Sequence, residues 1–388
     1  MSMKLKIAII TPGSFPIPSP RSSSVETVVD RLTDTLQHEL SFTIFGKKTQ
    51  ELPITEKRGK ITYYRFRKRK SYLDKVLLKL ADVNPDIIQI ENRPKFVPMV
   101  RKKFKKTAIW LSLHSTRYIT LPRINRDEAG KCLEQADKII VPSHFLKEYI
   151  ITIFGCKSEK VVVNHLGVDI RQFQSKWSQQ VNQINESIKF KYQLTDKKVL
   201  LFVGRLKRTK GVHKLIKALP AIIEKRPDTV LIIAGSSSYG SDKQTKYVQN
   251  LYALAKGLTD NILFVPFIPH TQIHKWFAAA DIVLVPSTGN EAFGLVNLEA
   301  MASGVPVIAA KNGGIPEVIQ HGKTGYLLNA KRMEYELKEY VLHLLDQPQL
   351  LKELGENSVE TVRQLFTWEK SAERYLQLCK SEINNKGV

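Results

Sequence analysis

Two carboxylates eight residues apart, Glu291 and Glu299, frame the stretch of this 388-residue chain that is richest in chemistry. Glu291 stands in a loop directly after the apolar run Ile282-Val-Leu-Val285. Glu299 lies in the helix-forming run Val296-Asn-Leu-Glu-Ala-Met-Ala302, about two helical turns further on. Between them Phe293-Gly294-Leu295 opens the helix, with free backbone N–H groups and the positive end of the helix dipole. A strand, a glycine-containing loop, a helix start and two acids suit a phosphorylated, hydroxyl-rich ligand. The amides take the phosphate and the carboxylates accept from hydroxyls.

A second set of charges fits the same ligand. Arg205 and Lys210 stand at the end of Val199–Val203 and around the turn into the next helix. Arg offers a bidentate fork and Lys a point charge, and both suit phosphate. Each charge-assisted contact contributes roughly 1.5–3 kcal/mol. Alone, two bases in a loop that also holds Lys207 and Arg208 read as a solvated surface. Asp-x-Asp does not occur, and no His, Cys and Asp residues share metal-ligand spacing, so no metal ligands are assigned. Phosphate charge must then be met by the protein. Gly322-Lys-Thr mimics the end of a P-loop, but Glu317 occupies the position of its first glycine, so it reads as a turn before Tyr326-Leu-Leu. His114 closes the apolar run Ala108-Ile-Trp-Leu-Ser-Leu113. A lone histidine there is more often a satisfied structural residue than a reactive one.

The elements that position these residues alternate between strand and helix. Lys6–Thr11, Phe42–Phe45, Ile61–Phe66, Asp86–Glu91, Ala108–His114, Lys138–Ser143 and Val161–Asn164 read as strands. Ser24 to Leu40 has helical periodicity, with Val25, Val28, Val29, Leu32 and Leu36 on one side. Arg171 to Lys198 is polar, without an apolar strand, and is expected to contain the inter-domain connection. The pattern restarts with Val199–Val203, Thr229–Ile233, Ile262–Val265, Ile282–Val285 and Val305–Ile308, short runs apolar on both faces as in a parallel sheet. The fold class is therefore α/β, with two doubly wound sheets.

Composition bounds the rest. The length allows two domains, and 43% hydrophobic with 25% charged residues is ordinary for a globular protein. No apolar run is long enough for a spanning helix, and Met1-Ser-Met-Lys-Leu leads into a strand without signal-peptide features. Cys132, Cys156 and Cys379 lack disulfide or metal spacing, so a reduced cytosol is the expectation. Of the net charge of +23, most lies in residues 1–200, with 37 Lys/Arg against 19 Asp/Glu. It peaks at 65–70 (Arg65-Phe-Arg-Lys-Arg-Lys70) and 101–106 (Arg101-Lys-Lys-Phe-Lys-Lys106). These runs are either a solvated face or a peripheral contact with an anionic membrane or acidic glycan. A nucleic-acid partner is disfavoured, because no recognised module accompanies the charge.

Taken in order and spacing, Gly204-Arg205-Leu206 with Lys210-Gly211, the Glu291–Glu299 pair, Gly313-Gly314-Ile-Pro-Glu317 and Gly322-Lys-Thr-Gly325-Tyr resemble the retaining nucleotide-sugar glycosyltransferases of family 4. The resemblance covers nearly the whole chain. Ile90-Glu-Asn-Arg-Pro94, Leu111-Ser-Leu-His114-Ser and Val296–Met301 are similar to a spore-coat branch found in spore-forming bacilli. The fold this implies is GT-B, two Rossmann-like domains facing across a cleft. Residues 1–185 would form the acceptor side, 186–365 the nucleotide-sugar side, and 366–388 a helix crossing back to the first. The implied reaction is metal- and cofactor-independent transfer from a nucleoside-diphosphate sugar, a UDP-sugar first, to a glycan, lipid-linked or protein acceptor of the envelope or spore coat. The implied location is cytoplasmic, with peripheral attachment at the inner membrane face or incorporation in the spore coat.

By the same resemblance, Arg205 and Lys210 meet the departing pyrophosphate, and His114 contacts the donor sugar near the reacting carbon. Glu291 sits by the sugar hydroxyls, Glu299 takes the ribose, and Phe293, Gly294 and Leu295 line the donor. Retention would follow from same-face attack rather than from Glu291 as a covalent nucleophile. Two departures stand out: Arg21-Ser-Ser-Ser24 replaces the usual Gly-Gly, and Leu166 in Leu166-Gly-Val-Asp169 replaces a commoner Asn. The Ser22-Ser23 pair keeps open an alternative, a degenerate relative that binds a nucleotide sugar or glycan as a structural component of the coat or envelope. Glycan phosphorylases and nucleotide-sugar epimerases share the fold, but a phosphorylase needs a cofactor-lysine signature that this chain lacks.

Overall fold

Runs of Val, Ile and Leu that are apolar on both faces leave a chain one stable arrangement, a parallel sheet with helices packed over each side. The computed structural model describes residues 4–19, 23–67, 71–237 and 244–385. Among these residues the strands fall into two sheets. The first contains β1 (Lys6–Ile10), β2 (Ser41–Lys47), β3 (Thr55–Arg58), β4 (Ile61–Phe66), β5 (Ile87–Glu91), β6 (Ala108–Ser112), β7 (Lys138–Val141) and β8 (Val161–Val163). Their order is β3-β4-β2-β1-β5-β6-β7-β8. All pairings are parallel except that of the edge strand β3 with β4. That edge strand, Thr-Glu-Lys-Arg, has no apolar pattern by which its sequence would reveal it.

The second sheet contains β9 (Lys198–Val203), β10 (Thr229–Ala234), β11 (Ile262–Val265), β12 (Ile282–Val285), β13 (Val307–Ala310) and β14 (Gly325–Leu328). It runs β11-β10-β9-β12-β13-β14 and is parallel throughout. In both sheets the first strand lies inside, so the winding reverses beside it. Such a reversal opens a crevice at the strand C-terminal ends, where ligands bind. In the second sheet that crevice lies between β9 and β12, the strands that lead to Arg205 and to Glu291.

The chain packs as two units, one of residues 1–166 with 368–388 and the other of residues 167–367. The helix Trp368–Asn385 belongs to the first unit through Ala372, Tyr375 and Cys379, spaced along one helix face and buried in a cluster with Ile7, Leu32 and Trp110. The Tyr375 ring meets Trp110 edge-on at 5.9 Å. In the second unit Leu215, Leu219 and Ile222 of the helix Val212–Ile223 pack with Leu337, Val341 and Leu344 of the helix Met333–Leu345.

The polar stretch Arg171–Lys198 lies wholly in the second unit. Lys176 is buried there, donating to the Ala280 carbonyl at 2.5 Å and to Asp281 Oδ1 at 3.2 Å. Asp281 Oδ2 accepts from the backbone N–H of Val199, at 2.8 Å, where β9 starts. Trp177 donates to the Gly304 carbonyl at 2.8 Å. The boundary expected from the sequence, 185/186, and the packing boundary, 166/167, differ by residues 167–185, which include the docked Lys176 and Trp177.

The charge runs need one correction. Arg65 is buried, with Nε on the Ile17 carbonyl and Nη1 on that of Pro53, both at 2.9 Å, and Nη2 on Glu56 at 2.6 Å. It braces β4 and is not a surface base. Phe66 stacks on Phe45, and Lys68, Arg69 and Lys70 lie outside the described residues. Arg101 is likewise engaged, with the carbonyls of Thr107 and Gln135 and with Asp137. Lys102, Lys103, Lys105 and Lys106 are exposed.

Lys176→Met leaves the largely buried Asp281 carboxylate without its cation, with only the Val199 N–H to meet its charge, so it is expected to lower stability by about 3 kcal/mol. Urea denaturation measures this. A loss below about 1 kcal/mol would put the pair in the class of surface ion pairs instead.

Candidate functional site

Two loops at the β9/β12 reversal are pressed together through their backbones. After β9 the chain turns through Arg208–Lys210 to Gly211, which has φ of +72°. A Cβ at Gly211 would lie 1.9 Å from the Pro286 carbonyl oxygen, so glycine is required both for the left-handed turn and for the close approach. The N–H groups of Thr288 and Gly289 donate to the Thr209 carbonyl at 2.9 and 3.2 Å. Asn312 Nδ2 donates to the Gly289 carbonyl at 2.8 Å. On the far side, the Gly314 N–H donates to the Glu291 carbonyl at 2.8 Å, and a Cβ at Gly313 would lie 2.0 Å from that oxygen. The Gly313-Gly314 pair therefore fixes the backbone of Glu291.

This clamp brings Arg205, Lys210 and Glu291 together. Lys210 Nζ donates to Glu291 Oε1, and the Ser287 hydroxyl donates to the same oxygen at 2.8 Å. Burial alone would raise the Glu291 carboxyl. The charge and hydrogen bond of Lys210, the Ser287 hydroxyl and the charge of Arg205 outweigh it and hold the group below the ordinary glutamate value of 4.5. The result is a carboxylate with two cations beside it, at the C-terminal ends of neighbouring parallel strands.

Gly294, with φ of +92°, leads into the helix Leu295–Ala302, which carries Glu299. The Phe293 side chain is buried against Phe366, so its backbone alone can face a ligand. Asn297, in the first turn, is fully buried, and neither of its side-chain polar atoms has a partner among the described residues. Glu299 is mostly buried and pairs through Oε1 with His270 Nε2 at 2.8 Å. Glu291 and Glu299 therefore sit in different electrostatic settings, one neutralised by a lysine and the other held by an imidazole.

His114 belongs to the first unit, two residues beyond β6. Its Nε2 lies 2.8 Å from Glu91 Oε2 and 3.1 Å from Ser112 Oγ, and its backbone N–H donates to Asn92 Oδ1 at 2.9 Å. Nδ1 is buried and has no partner among the described residues. Near the start of the helix Ser24–Leu36, Ser23 donates to Glu26, while Arg21 and Ser22 lie outside the described residues. Sequence reasoning missed Glu91, Ser287 and His270 as partners of the candidate residues. Glu91 had one usable signal, a charged residue ending an otherwise apolar strand.

Comparison with known proteins gives this geometry its context. A model described as Glycosyltransferase Family 4 matches residues 25–172, and one described as Glycosyl transferases group 1 matches residues 184–361. "Putative glycosyltransferase YtcC" of Bacillus subtilis is 30% identical over 98% of this chain and 93% of that protein. Spore coat protein SA of the same organism is 28% identical over 96% and 99%. Among solved structures, Anabaena Alr3699/HepE in complex with UDP superposes with a TM-score of 0.79 at 21% identity, over 98% of this chain and all of that one. Sucrose-phosphate synthase from Thermosynechococcus elongatus gives 0.80 at 22%, with the same coverage. At these identities the structural likeness establishes the fold, two parallel-sheet α/β units of the GT-B kind.

The depressed Glu291 carboxyl sets a pH dependence. Its contribution to stability is complete above the unfolded value, near 4.5, and is lost as pH falls through the lower folded value. Glu291→Gln should therefore be less stable than wild type at neutral pH, with the gap closing in more acid solution. Thermal melts across a pH series check this; a gap independent of pH would contradict the pairing.

Proposed function

This chain belongs to glycosyltransferase family 4 and is a glycosyltransferase, and we propose that it is a retaining, metal-independent one using a UDP-sugar. The observation that carries the proposal is the convergence of Arg205 and Lys210 on Glu291 at the reversal point of the second sheet. A pyrophosphate leaving group gains negative charge as the sugar departs, and preorganised cations stabilise that charge most where water is excluded. Lys210 has three N–H donors, so it can keep Glu291 while donating to phosphate oxygens. Glu291 already accepts from Lys210 and Ser287, which makes it a weak nucleophile and supports same-face attack over a covalent intermediate. Its second oxygen is left to receive a sugar hydroxyl, and Glu299, steadied by His270, to receive the ribose. Gly294 and Leu295 offer backbone N–H groups at the helix start, and His114 serves the sugar near its reacting carbon.

The donor base and the acceptor are supported by the relatives. UDP is the nucleotide in the HepE complexes, which favours UDP as the carrier here. The likeness to a spore coat protein favours a glycan, lipid-linked or protein acceptor of the coat or envelope. No helix among the described residues is long and apolar enough to cross a membrane. Peripheral attachment to anionic lipid is placed on the exposed bases of 101–106, Lys102, Lys103, Lys105 and Lys106, at about 1 kcal/mol per base.

Donor hydrolysis or transfer, screened with UDP-, GDP-, ADP- and dTDP-sugars, tests the central reading. Turnover should persist in EDTA, and Arg205→Ala and Lys210→Ala should each slow it at least about tenfold with the fold intact. Activity lost in EDTA and restored by manganese would refute metal independence. Normal rates in both variants would remove the pyrophosphate assignment.

Sedimentation with anionic vesicles tests the membrane contact. Wild type should bind at low salt and release at high salt, and the variant with all four lysines changed to Gln should not bind. Equal behaviour of the two proteins at every salt level would reduce the lysines to a solvated face.

A further inference from the structure

We infer that Glu91 is a positioning residue that locks His114 in its Nε2–H tautomer, leaving Nδ1 as a bare acceptor for a hydroxyl of the sugar substrate. The inference rests on the reading of His114 as an active-site residue and adds the device that prepares it.

The device is a run of hydrogen bonds inside the first unit. Tyr375, on the helix Trp368–Asn385, donates its hydroxyl to Gln89 Oε1 at 2.6 Å. Gln89 Nε2 donates to Glu91 Oε1 at 2.5 Å. Glu91 Oε2 lies 2.8 Å from His114 Nε2. Burial pushes the Tyr375 hydroxyl well above its ordinary range, so it stays protonated and has a proton to give Gln89. The remaining directions are fixed from the Glu91 end, because a carboxylate only accepts. The carbonyl of Gln89 is taken by Tyr375, so its amide N–H must point at Glu91. Glu91, an acceptor through both oxygens, must in turn receive an N–H from His114. Ser112 Oγ, at 3.1 Å, shares the same nitrogen as a longer contact.

Two features mark this run as more than core packing. Gln89, Glu91 and Ser112 are buried polar residues on adjacent parallel strands, where apolar side chains are the rule. A buried polar network of this kind is costly wherever a member is left unsatisfied. The network is satisfied at every member but one: His114 Nδ1 is buried and lacks a partner among the described residues. An orphaned nitrogen at the end of an otherwise complete relay is explained when a ligand supplies the missing donor. With Nε2–H fixed by a carboxylate, Nδ1 accepts from a hydroxyl, and the negative charge of Glu91 strengthens that acceptance.

Glu91→Gln distinguishes this arrangement from simple filling of space. A glutamine has one acceptor and one donor. Gln89 would claim the acceptor, leaving an N–H aimed at His114 Nε2, which must then be bare, with the proton moved to Nδ1. Nitrogen-15 NMR of the intact chain carrying labelled histidine reads the tautomer at mildly alkaline pH, and His114→Asn assigns the signal. Wild type should show Nε2–H, and Glu91→Gln should show Nδ1–H. Turnover of a nucleoside-diphosphate sugar should fall about tenfold or more in Glu91→Gln, with the donor KM within about threefold of wild type.

The wild-type spectrum requires neither the Glu91 variant nor a substrate, and Nδ1–H there would overturn the proposal. An unchanged tautomer in Glu91→Gln, or a changed one with normal turnover, would also overturn it. Slow turnover in His114→Asn alongside normal turnover in Glu91→Gln would sink the role of Glu91 while His114 keeps its place in the reaction. Normal turnover in His114→Asn would remove His114 from the reaction and Glu91 with it.

Discussion

A parallel strand covered by helices on both faces has no place for a charged side chain, and this constraint arranges the whole molecule. In the second sheet β9, β10, β12 and β13 are almost uniformly buried and apolar. Charge is displaced to the strand ends, where Arg205, Lys210 and Glu291 accumulate. At those ends the backbone supplies the precision. Gly211 against Pro286 and Gly313 against Glu291 are approaches that no larger residue could make, so charged groups rest on a backbone frame rather than on flexible side chains. Two strands of the first sheet depart from the rule: β4 carries the buried Arg65, and β5 carries Gln89 and Glu91, the second departure coinciding with the relay to His114.

The charged groups of the second unit are organised by contacts within the protein itself. A half-buried carboxylate next to two cations costs less than any of the three alone, so the cluster is stable yet leaves donor capacity on Lys210. Glu299 uses a different partner, the imidazole of His270. The two acids thus answer to different chemistry although they belong to one loop-and-helix segment.

Much of this was legible in the sequence, and what was not has a common cause. The apolar strands and the restart after residue 198 follow from local runs, and a shared site for Arg205, Lys210 and Glu291 follows from the family resemblance. Partners distant in sequence did not: Lys176 with Asp281, His270 with Glu299, Glu91 with His114, and Tyr375 with Gln89 are pairings made by topology, and local periodicity carries no record of them. Arg65 is a different case. The alternation in β4 places it on the inward face with Ile61 and Tyr63, so the two-residue period held the answer. Reading the segment as a run of bases concealed it.

The return of the helix Trp368–Asn385 to the first unit gives synthesis an order. The second unit is one continuous stretch of chain, complete once residue 367 has emerged, whereas the first must wait for residues made about two hundred positions after its last strand. Until then the cluster that will receive Ala372, Tyr375 and Cys379 is uncovered, and nascent apolar surface of this kind is what chaperones recognise. Tyr375 arrives with that helix, so the relay to His114 is completed only when the first unit closes. A ribosome-bound chain short of this helix already holds the frame around Glu291 and has not yet oriented the histidine.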